Sequence, residues 1–164
     1  MATFTVTTAS DVVNASDGVL SLREAVQQAN ATAAADTILF ANALEGQTLT
    51  LTQGQITISS NMSIDGDKDD SGSRIEVNAS GVVWAFATTG VGAVANLFDL
   101  DINGGNALEG DGGGILVGND TSAVITGCTI TGIGDPEQEP GEIANGIFAG
   151  SSSTVKILDS EISG

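Results

Sequence analysis

The sequence predicts an all-β fold: a parallel β-solenoid closed at its amino end by a strand and a short α-helix. A repeat is the first observation behind this. Residues 95–104, 123–132 and 155–164 share one pattern, in which Leu or Ile is followed five positions on by Ile and two positions later by Gly. The matching isoleucines are Ile102, Ile130 and Ile162, spaced 28 and 32 residues apart. Such self-similarity marks units that bury their apolar faces only by stacking on neighbours. Composition is the second observation. With 22 Gly, no Tyr, no His and one Trp, the chain suits a narrow interior of aliphatic side chains with glycine at the corners. The third is a helix-start signal close to the amino end, where a solenoid needs a lid over its unpaired strand edges.

Residues 2–8 alternate, Phe4 and Val6 on one face and Thr3, Thr5 and Thr7 on the other, which predicts a strand. Residues 11–18 read as a loop. Ser21 and Glu24 form a capping-box pattern, and Leu22, Ala25, Val26 and Ala29 then recur at helical spacing, predicting a helix over about 21–31. Residues 1–45 are therefore assigned to an amino-terminal cap, and 46–164 to the coils of a solenoid expected to continue in a longer protein. Within 48–65 three short runs, Leu49/Leu51, Ile56/Ile58 and Met62/Ile64, are joined by short corners and predict one three-sided coil. Residues 74–77 and 83–86 continue the series. Trp84 is expected to cover an apolar face near the cap.

The repeats define expected rows along the axis, with coils about 4.8 Å apart. Leu97, Ile125 and Ile157 form one inward row. Ile102, Ile130 and Ile162 form another, with Leu100, Cys128 and Ser160 beside it, and Ile115 matches Ile147. The outward column beside Ile102 reads Asp101, Thr129, Glu161, so a neutral residue separates its carboxylates. Stacked like charges would cost about 0.9 kcal/mol per adjacent pair in water.

Residues 21–25 (Ser-Leu-Arg-Glu-Ala), 28–32 (Gln-Ala-Asn-Ala-Thr) and 35–40 (Ala-Asp-Thr-Ile-Leu-Phe) resemble the CSLREA domain, with Leu20 in the place of the family's cysteine. The Asp65-Gly66-Asp67 and Gly112-Gly113-Gly114-Ile115 segments are similar to the coils that follow that domain. The resemblance implies a right-handed parallel β-helix with an architectural role, secreted or anchored at the bacterial cell surface, and no known catalytic set. Residues 1–20 show no leader of their own, so export would use a signal not visible in this chain.

The net charge of −17 offers no basic stripe for nucleic acid and disfavours anionic membranes, while favouring divalent cations. No run of eighteen apolar residues is present to span a bilayer. One cysteine, Cys128, allows no internal disulfide and reads as a small buried residue. Asp65, Asp67 and Asp69 stand at positions 1, 3 and 5 of a loop with Glu76 at position 12, a spacing that resembles a calcium site supplied by alternating oxygens. Asp70 occupies position 6, where that motif has Gly. A second acidic stretch, 133–144, carries Asp135, Glu137, Glu139 and Glu142 with Pro136 and Pro140, and reads as a protruding loop. Residues 103–114, with Asn103, Asn106, Glu109 and Asp111, lack a phosphate-binding Lys and read as glycine corners.

Catalysis by a β-helix would need a basic residue or converging carboxylates. The four basic residues, Arg23, Lys68, Arg74 and Lys156, fall on no common row, and no carboxylates are expected to pair across coils. The expected role is a non-catalytic, adhesin-type scaffold that presents loops, with calcium, a surface glycan or a protein as candidate partners. End-to-end self-association at the open carboxyl edge is a further expectation. The alternative is the amino-terminal part of a polysaccharide lyase or hydrolase.

Overall fold

The computed structural model describes residues 1–79, 82–105, 113–131 and 145–163. Strand β1 (Thr3–Val6) leads to helix α1 (Leu22–Asn30), after which the chain winds through repeated three-sided coils. Coil 1 is β2 (Asp36–Phe40), β3 (Thr48–Thr50) and β4 (Ile56–Ile58). Coil 2 is β5 (Met62–Asp65), β6 (Ile75–Asn78) and β7 (Trp84–Thr88). Coil 3 is β8 (Val94–Phe98), β9 (Leu100–Asn103) and β10 (Gly113–Val117). Coil 4 is β11 (Ser122–Thr126), β12 (Thr129–Thr131) and β13 (Asn145–Ala149), followed by β14 (Thr154–Leu158) and β15 (Glu161–Ile162). Three sheets result, β1-β2-β5-β8-β11-β14, β3-β6-β9-β12-β15 and β4-β7-β10-β13. Their pairings are parallel, as in a β-solenoid of about four turns.

The expected rows form. Ile38, Ile64, Leu97, Ile125 and Ile157 lie in register on the first sheet. Leu49, Val77, Ile102, Ile130 and Ile162 do so on the second, and Ile56, Phe86, Ile115 and Ile147 on the third. Alternation puts these side chains inside, where each buried Ile or Leu contributes roughly 1.5–3 kcal/mol. Ile38, Ile64, Leu97, Ile125 and Ile130 have no exposed surface, whereas Ile157 and Ile162 in the last turn are 44% and 43% exposed. Cys128 is buried beside its row, its amide donating to Ser160 Oγ at 3.0 Å.

Helix α1 packs against β1, β2 and β4, over the interior of coil 1. Its buried apolar residues are Leu22, Ala25, Val26 and Ala29, the set that helical spacing predicts, with Glu24 of the capping box buried beside them. The capping box at Ser21 and Glu24 is complete. β2 pairs with both β1 and β5, so the first coil begins at Asp36.

Two expectations are corrected. Asp101 is in register with Glu76 below it as well as with Thr129 above, so two carboxylates do stand at matching positions of adjacent coils. The cause is uneven corner length: Met62 pairs with Ala95 but Glu76 with Asp101, so no constant period aligns coils 2 and 3. Trp84 does not reach toward the cap. Its ring lies 6.3 Å from that of Phe148, two coils further on, at 54°. The acidic stretch 133–144, and Asn106, Glu109 and Asp111 of the glycine-rich segment, lie outside the described residues.

Candidate functional site

The corner between the first and second sheets gathers most of the charge. Leaving β5, the chain enters the loop that carries Asp65, Asp67 and Asp69. Asp67 is buried, and its carboxylate accepts from the amides of Ser71 at 2.9 Å and Gly72 at 2.6 Å, and from Ser71 Oγ. Asp65 Oδ1 accepts from the Asp67 amide at 3.1 Å. Asp69 accepts from the Ser71 amide at 3.3 Å and from Asn42 at 3.4 Å. Asp70 adopts the left-handed backbone, with φ 55°, that the calcium motif gives to Gly. Glu76 projects from β6 toward neighbouring coils, accepting from Thr48 Oγ1 at 2.7 Å and Asn103 Nδ2 at 3.2 Å. Among the described residues, no three His, Cys, Asp or Glu side chains are grouped as a metal site.

Asp99 turns the same corner one coil on, also left-handed at φ 48°, as do Gly127 and Asp159 above it. Aspartate tolerates this backbone better than most residues. Arg74 answers the local charge. Its guanidinium lies 3.8 Å from Asp99 and 3.5 Å from Asp101, and donates to Thr129 Oγ1 at 3.3 Å, spanning coil 3. Burial pushes the Asp99 carboxyl above its ordinary value. Arg74 opposes that rise, and Asp65, Asp67 and Asp70 add to it. Asp65 is raised for the same first cause, with Asp70 and Asp67 contributing. Burial works in the same direction on Asp67, but the hydrogen bonds from Gly72 and Ser71 outweigh it and hold this carboxyl low. The Cys128 thiol is pushed up to about 11 by burial, which leaves it unreactive at neutral pH.

A second polar cluster seals the amino end. Arg23 pairs with Asp11 through Nε at 2.7 Å and Nη2 at 3.0 Å, and donates to the carbonyls of Gly54 and Gln55. Asp11 also accepts from the amides of Thr52 and Gln53 at 2.7 and 2.9 Å. At the other end of α1, Asn30 donates to the Thr57 carbonyl and accepts from the Ser59 amide, both at 2.8 Å. It thereby imitates the strand that β4 lacks on that side. Sequence reasoning reads residues 11–18 as a loop and Arg23 as one of four basic residues on no common row, so these attachments are not among its expectations. The available signal was scarcity: with four basic residues in the chain, an Arg inside the cap implies a dedicated acidic partner.

Two shallow hollows flank α1. One, of about 170 Å³, lies between the helix and β4, lined by Arg23, Gln27, Asn30, Gln55 and Thr57. The other, of about 410 Å³, lies outside the helix against Val13, Val19 and Leu20. Neither is lined by the acidic loop. Comparison with protein-family models, curated proteins and solved structures gives no match for this chain.

Proposed function

We propose that this chain is the capped start of a non-catalytic, adhesin-type β-solenoid scaffold, of the CSLREA kind, working outside the cell or on a bacterial surface. The observation that carries this reading is how the charged side chains are used. Asp11, Glu24, Asp36 and Asp67 each accept backbone amides and so fix loops and termini. The register pair Glu76 and Asp101 is engaged by Thr48, Asn103 and Arg74. Such a body holds its outer loops at fixed spacing for a glycan or protein ligand.

Incubating the chain with acidic and neutral glycans tests the reading. Binding without bond cleavage is expected. Turnover that disappears in Glu76→Gln would establish the lyase or hydrolase alternative instead.

Calcium is the proposed stabiliser of the 65–76 loop, through Asp65, Asp67, Asp69 and Glu76. The left-handed Asp70 supports it, because it supplies the sharp turn such a loop needs. A higher melting temperature in millimolar calcium than in EDTA is expected, and identical melting curves would remove these four residues as ligands.

A further inference from the structure

We propose that the amino-terminal cap is an acid-released latch: protonation of Asp11, Glu24 and Asp36 frees β1 and α1 from coil 1 while coils 2 to 4 keep their pairing. The three carboxylates hold the cap at three separate points. Asp11 ties the loop before α1 to Thr52 and Gln53 of coil 1. Glu24 accepts from the amides of Ser21 at 2.9 Å and Asn14 at 2.6 Å, holding that loop on the helix. Asp36 accepts from the Ala2 amide at 2.5 Å and from Thr32 Oγ1, joining the starts of β1 and β2.

The groups facing them are few. The Arg23 guanidinium faces Asp11, and the amino terminus of Met1 lies 4.0 Å from Asp36. Glu24 meets the neutral groups of Ser21 and Asn14. A protonated carboxyl loses charge-assisted acceptor strength, and in Asp11 it also leaves Arg23 without its counter-ion.

The direction of titration agrees with the geometry. Glu24 is held low by its two backbone hydrogen bonds, and Asp36 by Thr32 and Ala2. Burial works to raise Asp11, but Arg23, Thr52 and Gln53 outweigh it and hold it low as well. A depressed folded-state value stabilises above the ordinary values of 3.8 and 4.5, and that contribution is lost as pH falls through the depressed values. Coils 2 to 4 are joined by parallel backbone pairing of their strands and by the aliphatic rows inside, neither of which titrates. The donors to the Asp67 carboxylate, Ser71 and Gly72, lie in its own loop and not in a strand. Acid therefore weakens the ties of the cap and leaves the pairing of the later coils in place.

Hydrogen exchange on the whole chain, from neutral pH into acid and corrected for intrinsic exchange, tests the latch. Below pH 3.8, the amides of Ala2, Asn14, Ser21, Thr52 and Gln53 are expected to lose protection by about tenfold or more. Amides of β8, β9, β11 and β12, and the fluorescence of Trp84, should be unchanged at that point. At neutral pH, Asp11→Asn and Glu24→Gln should each reproduce the loss at the cap alone. Loss of protection by cap and coils together, or a cap still protected when the coils open, would overturn the proposal. Should either variant fail to fold, the wild-type acid series decides by itself.

Discussion

Gly66 follows β5 at the first corner, and its place is set by contact. A Cβ there would meet the Asp99 carbonyl and come within 2.7 Å of Leu100 Cδ2. The backbone oxygen cannot move without breaking the corner above it. Gly66→Ala should therefore destabilise the chain by about 2 kcal/mol, the scale of overpacking in a close-packed interior. Urea unfolding followed through Trp84 measures this, and an unchanged midpoint would show that the corner has slack.

Among the elements, Arg74 joins coils 2, 3 and 4 through Asp99, Asp101 and Thr129. It is a third exposed, so solvent screens these pairs. Arg74→Gln should lower stability by about 1 kcal/mol at low salt and by a smaller amount at high salt. Paired urea titrations at the two ionic strengths read the difference. This cluster also marks where the sequence stops being legible. Ile102, Ile130 and Ile162 repeat at nearly constant spacing, so their row is visible in one dimension. Glu76 and Asp101 meet only because the corners between coils 2 and 3 differ in length on the different sheets, and corner length carries no hydrophobic periodicity. Helix α1 was legible because the capping box and the buried stripe are local signals. The attachments of Arg23 and Asn30 to residues 54–59 were not, because the partners are mostly backbone atoms, which leave no mark in residue identity.

For the molecule as a whole, a charge of −17 spread over 164 residues works against compaction. The described ion pairs involve Arg23, Arg74 and the amino terminus, and they neutralise little of it. Added sodium chloride should accordingly raise the melting temperature, because screening of general repulsion exceeds the loss of a few pairs. A fall in melting temperature with salt would mean that those pairs dominate. The solenoid as a class was legible from its repeats, as was the order of its three sides from residues 48–65. The pairing of Trp84 with Phe148 was not, since it joins residues two coils apart at different register positions of their sheet.

The ties of Arg23, Asn30 and Asp11 to the coils end within residues 52–60, and Asp36, which holds Ala2, belongs to the first turn itself. The plug therefore recognises a single layer of ribbon and is indifferent to how many layers lie beyond it. Residues 1–60 are in that sense a transplantable endpiece, ready to be spliced ahead of an unrelated ribbon of the same girth.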